Sequence, residues 1–224
     1  MRTRRSARLR PLLRAIGGRA RVPLSIDTTK AAVANFALDE GVAMVNDISG
    51  LDYDPGMGPL VAARGVPLVL MHMRGRPGTI CAEARYEDVV SDVMRDLGRR
   101  IEHAVGCGIA WDRLLVDPGI GFAKQAEHSY RVLAGLDRLQ ALGRPLLVGP
   151  SRKSFLTAAT GDLPADARDW PTAAAVTAAV LAAPTSSAST ACRRWCRWCA
   201  WPMPCVTSSP EAAARPLPGG WLLR

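Results

Sequence analysis

Four polar side chains that could bind a small ring compound stand at the ends of apolar runs. Asp27 follows LSI, Asn46 follows MV, Asp117 follows LLV and Lys153 follows LLVGPSR. A carboxylate accepts two parallel N–H bonds from an amino-pyrimidine edge, an amide both donates and accepts, and a lysine reaches a ring oxygen or nitrogen. Together the four groups would form a small polar pocket between apolar walls, which suits a planar heterocycle.

Each of these residues also has a purely structural explanation. Asp27 and Asp117 could cap helix N-termini, and Asn46 could occupy a turn. Four polar residues at equivalent positions favour ligand binding. Lys153 is the hardest to explain as structure, because residues 24–184 contain three lysines against thirteen arginines. Arginine's planar fork does not replace a compact ammonium at a ligand-binding position.

Five short apolar runs supply the elements that would position these groups. They are PLSIDTT (23–29), AMVNDISG (43–50), VPLVLMHM (66–73), LLVDPGIG (114–121) and PLLVGPSR (145–152). Helical patterns separate them, so the runs predict buried parallel strands in right-handed βαβ units. Chemistry at the carboxyl ends of such strands is typical of a (β/α)₈ barrel. A doubly wound open sheet is the alternative, but no Gly-rich phosphate loop follows the first run. The predicted fold class is α/β, an incomplete TIM barrel of parallel strands and alternating helices.

The basic charge lies at the two ends of the chain. Residues 1–23 hold eight arginines and no acid, whereas residues 24–184 hold sixteen basic and nineteen acidic side chains. The high overall charge therefore gives little support for a nucleic-acid partner. The arginine-rich start resembles a transit peptide, but it also reads as an apolar-striped helix. No apolar run approaches the roughly 18 residues of a membrane span, and the sparse cysteines of residues 24–184 indicate a reducing, cytoplasmic location.

Five motifs occur in an order and spacing that resemble dihydropteroate synthase, a folate-pathway transferase with a pterin-binding TIM barrel. They are SIDTTK, VNDISG, LMHMRGRPGT, DPGIGFAK and GPSRKSFL, and the resemblance covers residues 9–183. DPGIGF followed by SRKSFL is the most discriminating pair. Pterin-dependent methyltransferases share the barrel and the early Asp and Asn but lack SRKSF. By this resemblance the five strands are the third to the seventh of the barrel.

The resemblance implies a reaction and a role for each strand-end residue. The family joins 6-hydroxymethyl-7,8-dihydropterin pyrophosphate to p-aminobenzoate, giving 7,8-dihydropteroate and pyrophosphate. Asp117 would bind the amino-pyrimidine edge, Asn46 the opposite edge, and Lys153 the ring oxygen and nitrogen. Asp27 would lie near the exocyclic methylene, where its charge stabilises a developing cation. Asp27 and Lys153 are thus the expected catalytic residues. A pterin-binding module or methyltransferase-type domain without synthase chemistry is the alternative.

The resemblance also assigns the walls of the site. The remaining substrate-binding positions are Ile48, Met71, Gly121 and Gly149 around the pterin, and Phe122, Ser151 and Lys153 around the aminobenzoate. His72 is expected to be a hydrogen-bonded strand-end histidine rather than a metal ligand. Arg74 and Arg76 are expected to be solvated on a surface loop.

Parts of the family pattern are not found in this chain. The family's magnesium-binding asparagine belongs to the first barrel strand, which we expect to be missing before PLSIDTT, so Mg²⁺ is implied as a cofactor but no metal ligand is expected here. The last strand, with its pyrophosphate-binding arginine and histidine, is also not recognisable. We therefore expect open edges at the first and fifth runs and impaired activity. Family members are commonly homodimers.

Residues 184–224 do not continue the strand and helix pattern. A GC-rich back-translation of residues 183–205, regrouped by one nucleotide, reads Gly-Ala-Asp-Ile-Val-Arg-Val-His, which matches the missing last strand. We therefore expect a partial barrel domain at 1–183 and an aberrant, out-of-frame and disordered tail at 184–224. Alternatives are a zinc site, giving a regulatory protein with a basic arm, or a CxxC redox pair. The four cysteines concerned are Cys192, Cys196, Cys199 and Cys205.

Overall fold

A computed structural model of the chain describes residues 4–16, 20, 22–75, 84–182 and 186–187. The strands are β1 (Ser25–Asp27), β2 (Met44–Asp47), β3 (Leu68–Met71), β4 (Leu114–Asp117), β5 (Leu147–Val148) and β6 (Ser186–Ser187). The helices are α1 (Arg4–Ile16), α2 (Ala31–Asp39), α3 (Met57–Arg64), α4 (Val89–Gly106), α5 (Ala126–Ala134), α6 (Leu136–Leu139), α7 (Thr157–Thr160) and α8 (Asp169–Ala182). Short 3₁₀ turns precede β4, follow α6 and flank α7. No helix in these ranges is long and apolar enough to cross a membrane.

The strands follow one another side by side in chain order, all parallel. The first four form the order β1-β2-β3-β4, and a bridge between Val116 and Leu146 places β5 beside β4. Each neighbour is reached through a helix, as the alternating pattern predicts. The predicted class, an incomplete α/β barrel with parallel strands and alternating helices, is confirmed, and each of the five apolar runs contains a strand.

Alternation along the strands divides the core into two layers. One set of strand residues packs under the helices, as Leu68 and Leu70 of β3 do. The other set points to the opposite side of the sheet, where Met44, Val69 and Leu115 pack together. The strand-end residues Asp27, Asn46, Met71 and Asp117 have the same parity as this second set. The strand period therefore places them directly above a small apolar layer, at the carboxyl edge of the sheet.

The longest helix shows how local sequence shapes the scaffold. Asp88 caps α4 by accepting a hydrogen bond from Val90 N at 3.1 Å, and an apolar stripe that includes Val93 and Leu97 is fully buried. The helical pattern at 129–143 predicts one helix, but α5 ends at Ala134 and α6 begins at Leu136. Gly135 between them lies close to Val90, since a Cβ there would be 3.0 Å from a valine methyl. This tight crossing with α4 is a tertiary contact that the local pattern does not contain.

The expected open edge at β5 is partly paired. Leu147 and Val148 pair in parallel with Ser186 and Ser187, which lie just inside the range that the sequence assigns to a tail. The rest of residues 184–224, with its four cysteines, lies outside the described residues. The division into 1–183 and 184–224 therefore stays a prediction.

Candidate functional site

The ends of β1 and β2 bring a carboxylate and an amide together. Asp27 and Asn46 are register partners in the parallel ladder, and Asn46 Nδ2 lies 3.5 Å from Asp27 Oδ2. Asn46 Oδ1 is buried and has no hydrogen-bond donor among the described residues. Because a buried acceptor without a partner is costly, this oxygen is suited to accept an N–H from a ligand.

The aspartate next to Asn46 has a different task. Asp47 is buried, and its Oδ1 accepts hydrogen bonds from Ser49 N at 2.9 Å and Ser49 Oγ at 2.7 Å. Its Oδ2 accepts a third from Leu51 N at 3.0 Å. In the stretch VNDISG the two neighbours point to opposite sides of the sheet, so Asp47 fixes the loop while Asn46 faces the site.

Asp117 ends β4 in a tight turn beside β3. The residue is buried, and its Oδ1 accepts a hydrogen bond from Gly119 N at 2.7 Å. Its carbonyl oxygen accepts one from His72 N at 2.8 Å. Gly119 has φ +65°, and a Cβ at this position would lie 1.9 Å from His72 O. Glycine at position 119 is therefore required for the turn to pass this close to β3.

The helix-capping explanation does not hold for either strand-end aspartate. The N-cap of α2 is Lys30, and the acceptor for Ala31 N is Asp54 Oδ2 at 2.8 Å. The N-cap of α5 is Gln125. Asp27 and Asp117 thus lie at the edge of the sheet, and neither is the N-cap of the helix that follows it.

Lys153 reaches into the same edge from the loop after β5. Its Nζ donates a hydrogen bond to Ile120 O and lies 4.3 Å from the ring centroid of Phe122, a cation–π distance. Gly121 lets the lysine stem pass, since a Cβ there would be 2.9 Å from Lys153 Cδ. Ile120 O is the one acceptor for Nζ among the described residues, which leaves two N–H groups for a ligand.

Burial dominates the charge balance of this edge. It raises the pKa of Asp117 above its ordinary value, although the Gly119 N–H and the ammonium groups of Lys153 and Lys124 act in the opposite direction. The Asp27 carboxylate adds to the increase. Burial likewise lowers the pKa of Lys153, opposed by Asp117. These mutual effects require Asp27, Asp117 and Lys153 to share one region.

Asp27 lies at the rim and is open to solvent on one side. Its pKa is nevertheless raised, first because partial burial removes some of the water around the carboxylate and second because the Asp47 carboxylate repels its negative charge. A positive charge that develops nearby stabilises the ionised form of such a carboxylate. The position therefore suits electrostatic stabilisation of a cationic centre.

An apolar wall completes the site. Met71 packs in one cluster with Met73 and Ala123, and the partly buried side chains of Ile48 and Phe122 join it. Three of the predicted substrate-binding residues thus form one surface. Gly149 and Ser151 follow β5 in the loop that leads to Lys153, and a Cβ at Gly149 would meet no atom within 4 Å. The roles assigned to these residues stay predictions.

The predictions for two residues near this edge, His72 and Arg74, have different outcomes. The prediction for His72 is confirmed: the side chain is fully buried and hydrogen-bonded through both ring nitrogens, to Asp96 and Lys124. The prediction for Arg74 is wrong. Its guanidinium is 3.0 Å from Asp96 Oδ2 and 4.3 Å from the Tyr86 ring centroid, because α4 packs against the loop after β3. Arg76 lies outside the described residues.

Lys124 lies at the same edge of the sheet, although it is not among the residues that the sequence predicts for the site. Its Nζ hydrogen-bonds to His72 Nδ1 and to two carbonyl oxygens of its own loop. The rarity of lysine in residues 24–184, which singled out Lys153, applies equally to this residue. Its partner His72, directly after β3, is 52 positions away, so no local pattern indicates the contact.

A cavity of about 530 Å³ lies outside this site, between α4 and the loops after β2 and β3. None of the predicted substrate-binding residues lines it. Its arginines are occupied, for example Arg99 with Asp96 and Arg100 with Asp52. We therefore place the candidate site at the strand ends, where the polar groups converge, and not in this cavity.

Comparisons with known proteins show the family to which the chain belongs. The sequence model of the family described as pterin binding enzyme matches residues 3–186. A dihydropteroate synthase of Mycobacterium leprae is 44% identical over 151 residues, 67% of this chain and 53% of that protein. One from Synechocystis is 42% identical over 146 residues, 65% of this chain and 50% of that protein. The chain thus spans about half the length of these curated relatives.

Solved structures give the same result. Xanthomonas albilineans dihydropteroate synthase with 4-aminobenzoic acid superposes with a TM-score of 0.78 at 34% identity, over 89% of this chain and 73% of that one. The Thermus thermophilus enzyme in complex with 4-aminobenzoate gives 0.77 at 37% identity, over 84% and 72%. The chain belongs to the family of pterin binding enzymes, in its dihydropteroate synthase branch.

Proposed function

We propose that this protein binds a dihydropterin at the carboxyl ends of β1, β2 and β4 and acts as a dihydropteroate synthase. The observation that carries the proposal is the buried, donor-less Oδ1 of Asn46 beside Asp27. It lies at the same edge as the buried Asp117 and Lys153. A flat heterocycle with several N–H groups supplies the donors that this arrangement lacks.

The pterin would be held at its edges and its face. Asp117 accepts two N–H groups of the amino-pyrimidine, Asn46 pairs with the opposite edge, and Lys153 donates its remaining N–H groups to the ring oxygen and nitrogen. Ile48, Met71 and Phe122 provide apolar contact for the ring. Support comes from the relatives, one of which was solved in complex with 7,8-dihydropteroate.

The proposed reaction is a substitution at the exocyclic methylene of the pterin. The bond between this carbon and the pyrophosphate oxygen breaks, and pyrophosphate leaves with the electron pair. The amine nitrogen of p-aminobenzoate forms the new C–N bond and loses one proton. Asp27 stabilises the positive charge that develops on the methylene, and Phe122, Ser151 and Lys153 border the aminobenzoate.

The described residues give no direct support for a magnesium site. Mg²⁺ requires near-octahedral coordination by oxygen. Across the described ranges no three acidic, histidine or cysteine side chains are grouped to hold a metal, and Asp27 with Asn46 offers two oxygen-bearing side chains. No step of the proposal is assigned to the metal.

A binding and turnover experiment tests the proposal. Dihydropterin pyrophosphate is titrated into the protein by calorimetry, and consumption of labelled p-aminobenzoate is then followed. We expect binding that Asp117→Ala abolishes and that Asp112→Asn leaves unchanged, because Asp112 is exposed at the opposite end of β4. Absence of pterin binding by the unmodified protein refutes the proposal. Pterin binding without p-aminobenzoate consumption would instead identify a pterin-binding module or methyltransferase-type domain.

Two further properties are proposed with this function. A homodimer is supported by α8, where Trp170 and Leu181 are 73% and 72% exposed; sedimentation of Leu181→Glu, which should be monomeric, tests it. A reducing, cytoplasmic location is supported by Cys107, which is a free thiol.

A further inference from the structure

Lys124 is the most completely hydrogen-bonded lysine among the described residues. Its Nζ lies 2.8 Å from His72 Nδ1, 3.1 Å from Gly119 O and 3.2 Å from Phe122 O. An ammonium has three N–H groups and no acceptor. All three donors of Lys124 are therefore matched by protein acceptors, and none remains for a substrate. This distinguishes it from Lys153.

His72 continues the contact into helix α4. Because Lys124 donates to Nδ1, the ring proton of neutral His72 is on Nε2, which faces Asp96 Oδ2 at 3.2 Å. Asp96 is held in turn by Arg74 at 3.0 Å. Lys124, His72 and Asp96 thus form a hydrogen-bonded chain from the loop after β4, through the end of β3, to α4.

This chain ends directly at the turn that carries Asp117. Lys124 binds the carbonyl oxygen of Gly119, whose N–H is bonded to Asp117 Oδ1 at 2.7 Å. It also binds the carbonyl oxygen of Phe122, which belongs to the apolar wall. One buried amine therefore ties the pterin-binding carboxylate and the apolar wall to the same strand.

We propose that Lys124 is a positioning residue, which locks residues 117–124 against β3 through His72 and supports the negative charge of Asp117. The proposal rests on the proposed pterin-binding function and deepens it. Lys124 does not contact the substrate. It fixes the distance between the carboxylate that binds one pterin edge and the phenylalanine that borders the next substrate.

The surroundings of Lys124 make its charge sensitive to substitution. Burial lowers its pKa to about 7, opposed by Asp117. Lys153, Arg100 and Arg74 add smaller decreases. From the side of Asp117, Lys124 is one of two ammonium groups that favour the ionised carboxylate, Lys153 being the other.

Dihydropterin pyrophosphate affinity, measured by calorimetry as a function of pH, tests the role of Lys124. Lys124→Met leaves His72 Nδ1 and Phe122 O without a donor, whereas Gly119 O keeps the hydrogen bond from Phe122 N at 3.0 Å. We therefore expect affinity to fall about 10- to 100-fold at neutral pH. Losing this ammonium also raises the pKa of Asp117, so the acid limb of the affinity profile moves to higher pH. Lys30→Met is the matched control, because Lys30 is exposed at the start of α2, and it should bind as the unmodified protein does.

A second variant separates charge from geometry. Lys124→Arg retains the positive charge but cannot match three converging acceptors, so we expect weaker binding with the acid limb unmoved. It also serves if Lys124→Met fails to fold, as judged by its melting curve. Unchanged affinity in either folded variant overturns the inference, and so does a uniform loss in Lys124→Met without movement of the acid limb. If the unmodified protein binds no pterin, the proposed function itself fails.

Discussion

Gly119 offers the sharpest test of how the candidate site is built. It has φ +65°, and an added Cβ would lie 1.9 Å from His72 O, where ordinary contacts begin near 3.4 Å. The obstacle is backbone of β3, so it cannot move aside as a flexible side chain can. Gly65, at the end of α3, has φ +62° and no atom within 4 Å of the same position. The two glycines share a conformation and differ in their surroundings.

The expected magnitudes follow from this difference. Gly65→Ala adds the cost of a left-handed residue with a Cβ, about 1 kcal/mol in unfolding free energy. Gly119→Ala adds the same cost and a displacement of about 1.5 Å between the turn and β3. That displacement breaks the hydrogen bonds from Gly119 N to Asp117 Oδ1 and from His72 N to Asp117 O. At about 1 kcal/mol or more each, the total is about 3 to 5 kcal/mol.

Urea unfolding at neutral pH measures the unfolding free energy of both variants, and thermal unfolding measures their melting temperatures. We expect the melting temperature of Gly119→Ala to fall by about 10 °C, against about 3 °C for Gly65→Ala. Dihydropterin affinity should fall in Gly119→Ala, because Asp117 moves, and should be unchanged in Gly65→Ala. If the two variants lose the same stability, the close approach of the DPG turn to β3 is incorrect, and the account of the Asp117 environment fails with it.

Three further predictions concern single side chains. Asp117→Asn should lose dihydropterin binding yet be at least as stable as the unmodified protein at pH 7. The pKa of Asp117 is raised in the folded protein, so the unfolding free energy of the unmodified protein falls as pH rises above about 4. Urea unfolding at pH 4 and pH 7 measures this. Burial lowers the pKa of His72 to about 3, so the unfolding free energy should fall by about 1.4 kcal/mol for each pH unit below about 6.5. His72→Asn should lack this contribution. Equal acid sensitivity of both proteins would contradict the conclusion that His72 is buried in its neutral form. Asp54→Ala removes the acceptor for Ala31 N and should cost about 1 kcal/mol in urea unfolding with pterin affinity unchanged, whereas reduced affinity would mean that the start of α2 belongs to the site.

Much of the scaffold can be predicted from the sequence because strand signals are local. Each apolar run is short and buried, and each ends in a polar residue, which sufficed to predict parallel strands and the placement of Asp27, Asn46 and Asp117 at one edge. The strand period alone also separates the neighbours Asn46 and Asp47 onto opposite sides of the sheet. The motif order was enough to indicate the family.

The tertiary structure decides what depends on contacts between distant parts of the chain. Arg74 pairs with Asp96 of α4, 22 positions away, and Gly135, between α5 and α6, lies close to Val90 of α4. The sequence does not indicate the contact between Lys124 and His72, which exists because the turn after β4 folds back onto the end of β3. Periodicity reports which face of an element is buried, whereas the partner of a buried polar group depends on how elements pack. For that reason the sequence predicts which strand-end groups would contact a substrate, whereas only the fold brings Lys124 to His72 and to the turn that carries Asp117.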